Sequence, residues 1–245
     1  MKGGRNREKF GNSLNNSQNS CLKKVHEYNF TSMASNKHNK ERGEVTVIAA
    51  PMFAGKSSRL IAETERYSRA GWKMLVVKHP LDVRYSGLSS ISSHDGRAVE
   101  CEALADLKEI YRQALEREVE LVMIDEAQFY MEDTKMFVMM VEALADRGVI
   151  VILAGLELDF RGEIFGPMGE LMAHADVVEK LTAVCNVCGD LNANRTQRIV
   201  NGQPARYDDP IIMVGAKEAY EARCAKCHEV PGKPTFEELF NLDKK

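Results

Sequence analysis

Short apolar runs alternate along residues 43–181 with stretches in which apolar residues recur at every third or fourth position. The runs predict strands and the periodic stretches predict helices. This alternation predicts an α/β fold, a mostly parallel sheet flanked by helices. The predicted strands are 45–50, 72–78, 119–125, 149–154 and 177–181, and the predicted helices are 57–70, 103–116, 134–147 and 168–175.

The helix predicted at 103–116 has a clear apolar face. It consists of Leu104, Leu107, Ile110, Tyr111 and Leu115. Side chains at this spacing lie on one side of a helix, so we expect all five to face the sheet.

The first 42 residues lack such a period. Residues 1–40 contain eight Asn, and eight Lys and Arg against two Asp and Glu. Such a composition cannot bury enough apolar surface to offset the entropy of ordering it. We therefore expect 1–42 to be a disordered basic extension, with a targeting segment or a true start at Met33 as alternatives.

The composition is ordinary: 245 residues, 44% hydrophobic and 28% charged, with a net charge of −3. There is no apolar run of membrane-spanning length and no apolar signal segment, so we expect a cytoplasmic protein and no membrane partner. No basic stripe with interleaved aromatic residues is evident, so no nucleic-acid partner is expected.

A phosphate-binding loop is predicted where the first strand passes into the first helix. The sequence A-P-M-F-A-G-K-S at 50–57 approximates the P-loop consensus, with Ala50 in place of the first glycine. Backbone N–H groups and the helix dipole favour an anion at such a turn. Lys56 can reach the β- and γ-phosphates, and the Ser57 hydroxyl can bind Mg²⁺. The alternative is a helix N-terminus that happens to carry Gly-Lys-Ser.

An acidic pair follows the strand predicted at 119–125. Asp125 and Glu126 are placed so that one carboxylate can hold a metal ion and the other can accept a proton. An ordinary acidic turn is the alternative. Ligands bind at the carboxyl ends of parallel strands, so Asp82 and Arg84, in the long polar connection 79–97, and Phe160 are further candidates. Solvated loop charges and a core phenylalanine are the alternatives.

Four of the six cysteines form two C-x-x-C pairs, Cys185 with Cys188 and Cys224 with Cys227. This spacing predicts a closed, structural Cys₄ zinc site, and His228 could compete as a ligand. Strand-like runs at 194–200 and 210–214 lie between the pairs. The excursion is therefore a tethered loop or hairpin suited to folding over a ligand, and the tail from 234 reads as a short helix.

These parts together predict a phosphate-handling enzyme. Mg²⁺, Lys56 and the loop amides would neutralise a triphosphate, and Glu126 is the best candidate for the base. The residues alone leave open whether the acceptor is water, as in an ATPase, or a hydroxyl, as in a kinase.

The motifs, taken in order, resemble those of the type II thymidine kinases, the cellular and bacterial class. The resemblance covers about 44–230. It rests on P-M-F-A-G-K-S-S at 51–58, D-x-R-Y-S at 82–86, H-D at 94–95, I-D-E-A-Q-F at 124–129, D-F-R-G-E-x-F-G at 159–166, K-L-T-A-V-C-x-x-C at 180–188 and Y-x-x-x-C-x-x-C at 220–227.

The resemblance implies transfer of the γ-phosphate of ATP to the 5′-hydroxyl of thymidine or deoxyuridine, with Mg²⁺, and with Glu126 as catalytic base. Phe160 would lie against the thymine ring, backbone of the zinc-pinned lasso would bind the base, and Tyr220 would cover the pocket. It also implies inhibition by thymidine triphosphate and a homotetramer. The implied nucleotide-binding residues are Ala50, Pro51, Met52, Phe53, Ala54, Gly55, Lys56, Ser57, Asp82, Arg84, Asp125 and Gln128, and the lasso residues are Ile211, Ile212, Met213, Val214 and Gly215.

We accordingly divide the chain into the extension 1–42, a P-loop kinase domain at 43–181, a zinc-binding lasso domain at 182–232 and a tail at 233–245. Two other functions are compatible with parts of this sequence. A P-loop ATPase with a zinc ribbon would hydrolyse ATP under DNA stimulation without needing thymidine. A non-catalytic zinc module would leave the phosphate loop and the acidic pair unexplained.

Overall fold

A six-stranded parallel sheet forms the centre of the computed structural model, which describes residues 41–81, 89–93, 96–212 and 218–240. Each neighbouring pair of strands is parallel. The predicted mostly parallel α/β sheet is confirmed. In spatial order the strands are β5 (Glu102–Ala103), β2 (Met74–Lys78), β6 (Leu121–Asp125), β7 (Ile150–Gly155), β1 (Val45–Ala49) and β8 (Val177–Lys180).

Helices cover both faces of this sheet. Alternate residues of a strand point to opposite faces, so each buried strand contributes to two cores. Val122 and Ile124 of β6 belong to one core, whereas Leu121 and Met123 belong to the other. The first core packs against α2 (Leu107–Glu116), α3 (Thr134–Ala145) and α4 (Met168–His174), and the second packs against α1 (Lys56–Arg69).

The helix predicted at 103–116 is shorter than expected, and one residue of its predicted apolar face is exposed. Asp106 caps its N-terminus by accepting a hydrogen bond from the Lys108 N–H, so the helix begins at Leu107. Ala114 is buried, whereas Leu115, which was expected to face the sheet, is 36% exposed. Ala114 belongs to the core, and the other predicted residues of this face contact it: Leu107 and Ile110 are buried, and Leu104 and Tyr111 pack against the core.

The polar connection 79–97 contains a short strand that was not predicted from its sequence. β3 (Ser90–Ser92) pairs with β4 (Ala98–Glu100) in an antiparallel hairpin. Ile91 is the buried residue of β3 and joins the core under α1. One apolar residue between two serines gives too short an alternation to be recognised from the sequence.

The lasso domain is a second, antiparallel sheet. β9 (Arg195–Val200) pairs on one side with β10 (Gln203–Pro204) and on the other with β11 (Glu218–Arg223). The strand expected at 210–214 is not found in its described part, 210–212. The partner of β9 is β11, which begins closer to the second cysteine pair. A short helix, α5 (Phe236–Leu239), follows with a Thr235 capping box.

Within the described ranges, no helix combines the length and apolar character that a transmembrane helix requires. The carboxyl ends of β1, β6 and β7 lie at one edge of the central sheet, because all three strands run in the same direction. The phosphate loop, the acidic pair and the residues after Gly155 therefore meet there.

Candidate active site

The phosphate loop follows β1 and leads directly into α1. The Ala50 N–H donates to the Gly155 carbonyl of β7 at 3.3 Å. Phe53 and Gly55 have positive φ angles, +65° and +85°, and Ala50 is not one of the positive-φ residues. The alanine at the position of the first consensus glycine therefore meets no conformational barrier.

The N-terminus of α1 is suited to an anion. Gly55 precedes it without a side-chain cap, and the first turn contains no acidic residue. The first N–H groups and the positive end of the helix dipole therefore have no carboxylate of this turn competing for them. Lys56 is buried, and its Nζ donates to the carbonyls of Ala50 at 3.2 Å and Pro51 at 2.9 Å.

The acidic pair lies at the end of β6. Asp125 is 3% exposed, and its Oδ1 accepts a hydrogen bond from the Glu126 N–H at 3.0 Å. Glu126 has a φ of +54°, in the left-handed region that non-glycine residues seldom adopt. Such a conformation costs about 1–3 kcal/mol and persists at functional sites. Lys78 of the neighbouring strand β2, 1% exposed, is in register with Asp125, so both residues lie on the same face of the sheet.

Gln128 joins Glu126 to the neighbouring strand β7. Its side-chain amide donates to Glu126 Oε2 and accepts a hydrogen bond from the Leu156 N–H at 3.0 Å. The side chain is fully buried. A Cβ on Gly155 would lie only 2.8 Å from Gln128 Oε1 and 2.6 Å from Met168 Sδ, so glycine is needed there for this close approach.

Phe160 is 4% exposed and is held on two sides. The guanidinium carbon of Arg198 lies 3.7 Å from its ring centroid, a cation–π geometry. Its backbone carbonyl accepts a hydrogen bond from His228 Nε2 at 2.8 Å. Burial lowers the pKa of His228. His228 was a candidate for a competing metal ligand, but its Nε2 is bonded to the Phe160 carbonyl.

The four cysteines are brought together as predicted. Their sulfur atoms all lie within 4.8 Å of one another, and this cluster contains no other ligand-type residue from the described ranges. A tetrahedral zinc–thiolate site has sulfur–sulfur edges of ~3.8 Å, and Cys188 and Cys224 are 3.7 Å apart. Backbone N–H groups of Cys188 and then Cys224 lower the pKa of Cys185 to about 6, whereas the side chains of Cys188 and then Cys224 raise the pKa of Cys227 to about 12. Of these two thiols, Cys185 is therefore the first to form the thiolate that binds metal. The donor set fits zinc.

The lasso domain touches the phosphate loop at two points. The Met52 N–H donates to Thr196 Oγ1 of β9 at 3.0 Å. Ala54 packs against the small apolar cluster around the cysteines, which contains Ala183, Cys185, Ala193, Ala222 and Cys224. The cluster around the cysteines therefore contacts the loop between β1 and α1 through Ala54.

The structure describes some of the predicted lasso residues. Ile211 is exposed and Ile212 half-buried, both after Pro210, and Tyr220 is half-buried in β11. The predictions for Asp82, Arg84, the His94–Asp95 motif, Met213, Val214 and Gly215 lie outside the described residues.

Several polar residues at this edge were missed from the sequence. Thr196 and Arg198 occupy alternate positions of one strand, a pattern that indicated a shared face without indicating what it touches. Glu157 follows β7 and is 6% exposed, and burial raises the pKa of its carboxyl. The nearby Lys180 and Lys56 offset this only in part. Lys78 was also missed, because a lysine at a strand end is usually solvated.

Comparison with known proteins identifies one family. A family model described as thymidine kinase matches residues 43–228. Among solved structures, the genome packaging NTPase B204 from Sulfolobus turreted icosahedral virus 2, in complex with ATP-gammaS, is 12% identical with a TM-score of 0.38, over 60% of this chain and 77% of that one. DnaA from Aquifex aeolicus, bound to AMPPCP, is 12% identical with a TM-score of 0.35, and the match spans 71% of this chain but only 48% of DnaA. Similarity this low supports no transfer of function.

Proposed function

The chain belongs to the thymidine kinase family, and from this membership we propose that it transfers the γ-phosphate of ATP to the 5′-hydroxyl of thymidine. Deoxyuridine would serve as a second acceptor. The products would be ADP and the nucleoside monophosphate, and the role would be salvage of pyrimidine deoxynucleotides in the cytoplasm.

One observation supports this proposal most directly. The phosphate loop and Glu126 are attached to consecutive residues of the same strand end. Ala50 binds the Gly155 carbonyl, and Gln128 links Glu126 to the Leu156 N–H. A phosphate-binding element and a candidate base at a fixed separation are what an in-line phosphoryl transfer requires.

The phosphate loop and its neighbours would bind ATP and Mg²⁺. Lys56 and the first N–H groups of α1 would hold the β- and γ-phosphates, with Asp82 and Arg84 beside them. Ser57 and Asp125 would bind Mg²⁺, which neutralises phosphate charge when present. The remaining contacts to the nucleotide would come from Pro51, Met52, Phe53, Ala54 and Gly55.

Glu126 would act on the acceptor. Its carboxylate would take the proton of the 5′-hydroxyl while that oxygen forms a bond to the γ-phosphorus and the bond to the β-phosphate oxygen breaks. Gln128, with both ends of its amide occupied, would keep the Glu126 carboxylate directed to one place. The backbone strain at Glu126 is consistent with such a fixed position.

The lasso domain would bind the nucleoside. Phe160 would lie against the base, backbone from Ile211 to Gly215 would hydrogen-bond its edge, and Tyr220 would cover it. Zn²⁺ would be held by Cys185, Cys188, Cys224 and Cys227 in a closed structural role. We further propose a homotetramer that is inhibited by thymidine triphosphate.

A transfer assay tests the proposal. The protein is incubated with labelled ATP, Mg²⁺ and, separately, thymidine, deoxycytidine, deoxyadenosine or water alone. Labelled thymidine monophosphate as the single nucleotide product is expected. Free phosphate released at equal rates in every reaction would instead show an ATPase, and no turnover with any acceptor would argue against both enzymes.

A further inference from the structure

Arg198 is the largest fully buried side chain among the described residues. It lies in β9, two positions beyond Thr196, and both side chains are on the same face of the strand. Its Nη1 donates to the carbonyls of Pro210 at 2.6 Å and Ile211 at 3.3 Å. Its guanidinium carbon lies 3.7 Å from the centroid of the Phe160 ring.

These contacts leave much of the guanidinium unsatisfied. Among the residues that the structure describes, neither Nε nor Nη2, both buried, has a hydrogen-bond partner. The nearest carboxylate, on Asp209, is 3.9 Å from Nη2. Burying a charge with so few partners costs several kcal/mol, and replacing such a group with an apolar side chain of similar size is often neutral or stabilising. A contribution to folding stability therefore does not explain why this position is an arginine.

Arg198 connects two segments that are far apart in the sequence. One end of its guanidinium holds the backbone at 210–211, and its flat face lies on the Phe160 ring. His228 bonds the backbone carbonyl of the same Phe160, so its backbone and its ring are each held by a different residue. A lysine could not do both, because its ammonium is a point charge without a planar face.

We propose that Arg198 is a positioning residue for nucleoside recognition. It fixes the Phe160 ring and the 210–211 backbone relative to each other, and these two groups form two walls of one pocket. This rests on the proposed function, because those walls face a nucleoside only if the protein binds one. Arg198 acts through Phe160 and the lasso backbone and makes no contribution to the phosphate loop.

The test compares Arg198→Met and Arg198→Lys with the wild type. For Arg198→Met we expect the KM for thymidine, and its Kd measured without ATP, to rise about 10-fold. The KM for ATP should stay within about twofold, and the melting temperature should be unchanged or higher. Arg198→Lys should recover only part of the thymidine affinity. Arg206→Met, at an exposed arginine of the same domain, is the matched control.

A double-mutant cycle with Phe160→Leu tests the route of action. If Arg198 acts through Phe160, the two losses of thymidine affinity will be strongly non-additive. A lower melting temperature with wild-type thymidine affinity would overturn the proposal, as would equal losses for ATP and thymidine. If Arg198→Met does not fold, wild-type affinity in Arg198→Lys would overturn it as well. A wild-type protein that does not phosphorylate thymidine would refute the proposed function itself, before any variant is compared.

Discussion

The Met52 N–H of the phosphate loop donates a hydrogen bond to Thr196 Oγ1 in the lasso domain, at 3.0 Å. One hydroxyl thus connects the element proposed to bind ATP with the strand that carries Arg198. Through this contact the lasso domain helps to fix the backbone of the phosphate loop. The distance between the two segments in the sequence gives no indication of such a contact.

Removing this hydroxyl should weaken ATP binding. Thr196→Val keeps the shape but leaves the Met52 N–H without its acceptor, at a cost of about 1 kcal/mol. We expect the KM for ATP to rise roughly fivefold. Thr196→Ser retains the hydroxyl and is the matched control. An unchanged KM for ATP in Thr196→Val would show that the loop does not depend on this bond.

Glu126→Gln should abolish turnover without abolishing nucleotide binding. The amide keeps the size of the side chain but cannot accept the proton of the acceptor hydroxyl. We expect kcat to fall by roughly 100- to 10,000-fold, with the ATP Kd nearly unchanged. Glu170→Gln, at an exposed glutamate of α4, is the control. Near-normal turnover in the Glu126 variant would mean that another group is the base.

Loss of zinc should affect both substrates. Because the cysteines lie at the ends of the lasso, their position in the sequence by itself favours a loss of order in the lasso rather than in the phosphate loop when the metal is removed. Ala54, however, packs on the cysteine cluster. After chelation we expect thymidine and ATP affinity to fall together, by roughly tenfold or more.

The measurement pairs titration of each ligand with zinc analysis before and after chelation, and restored zinc should restore both affinities. Limited proteolysis of the metal-free protein should cut within 182–232 first. A loss confined to thymidine would show that the contact with Ala54 is energetically unimportant.

The stability of the protein should depend on the ionisation of Glu157. Burial raises the pKa of this carboxyl in the folded protein, so the unfolded chain loses this proton at lower pH than the folded protein does. The free energy of unfolding therefore falls as pH rises from the ordinary carboxyl range through the raised pKa, and then levels off.

Glu157→Gln removes this dependence because the amide stays neutral. Its melting temperature should match that of the wild type in acid and exceed it as the pH rises towards neutrality. The exposed Glu170→Gln provides the baseline. A melting-temperature difference that is constant with pH would show that Glu157 does not titrate as the structure indicates.

Elements with a strong local pattern were predictable. Five strands of the central sheet lie within two residues of their predicted bounds, because continuous apolar runs reflect burial on both faces. The sixth, β5, is two residues long and was not predicted. Weaker patterns gave wrong predictions. Leu115 was expected to face the sheet but is exposed, whereas Ala114 is buried. A strand was expected at 210–214, but β9 pairs with β11. Strand pairing is a property of two distant segments, so the apolar run at 210–214 could not reveal it.

The sequence by itself determined the α/β sheet, the phosphate loop, the acidic strand end and the cysteine pairs, since each depends on residues a few positions apart. Only the tertiary structure decided what these parts contact. Met52 meets Thr196 across 144 residues, and Phe160 meets His228 across 68. Such contacts arise from the packing of whole elements. Composition and periodicity therefore do not predict which buried polar side chains bond to each other.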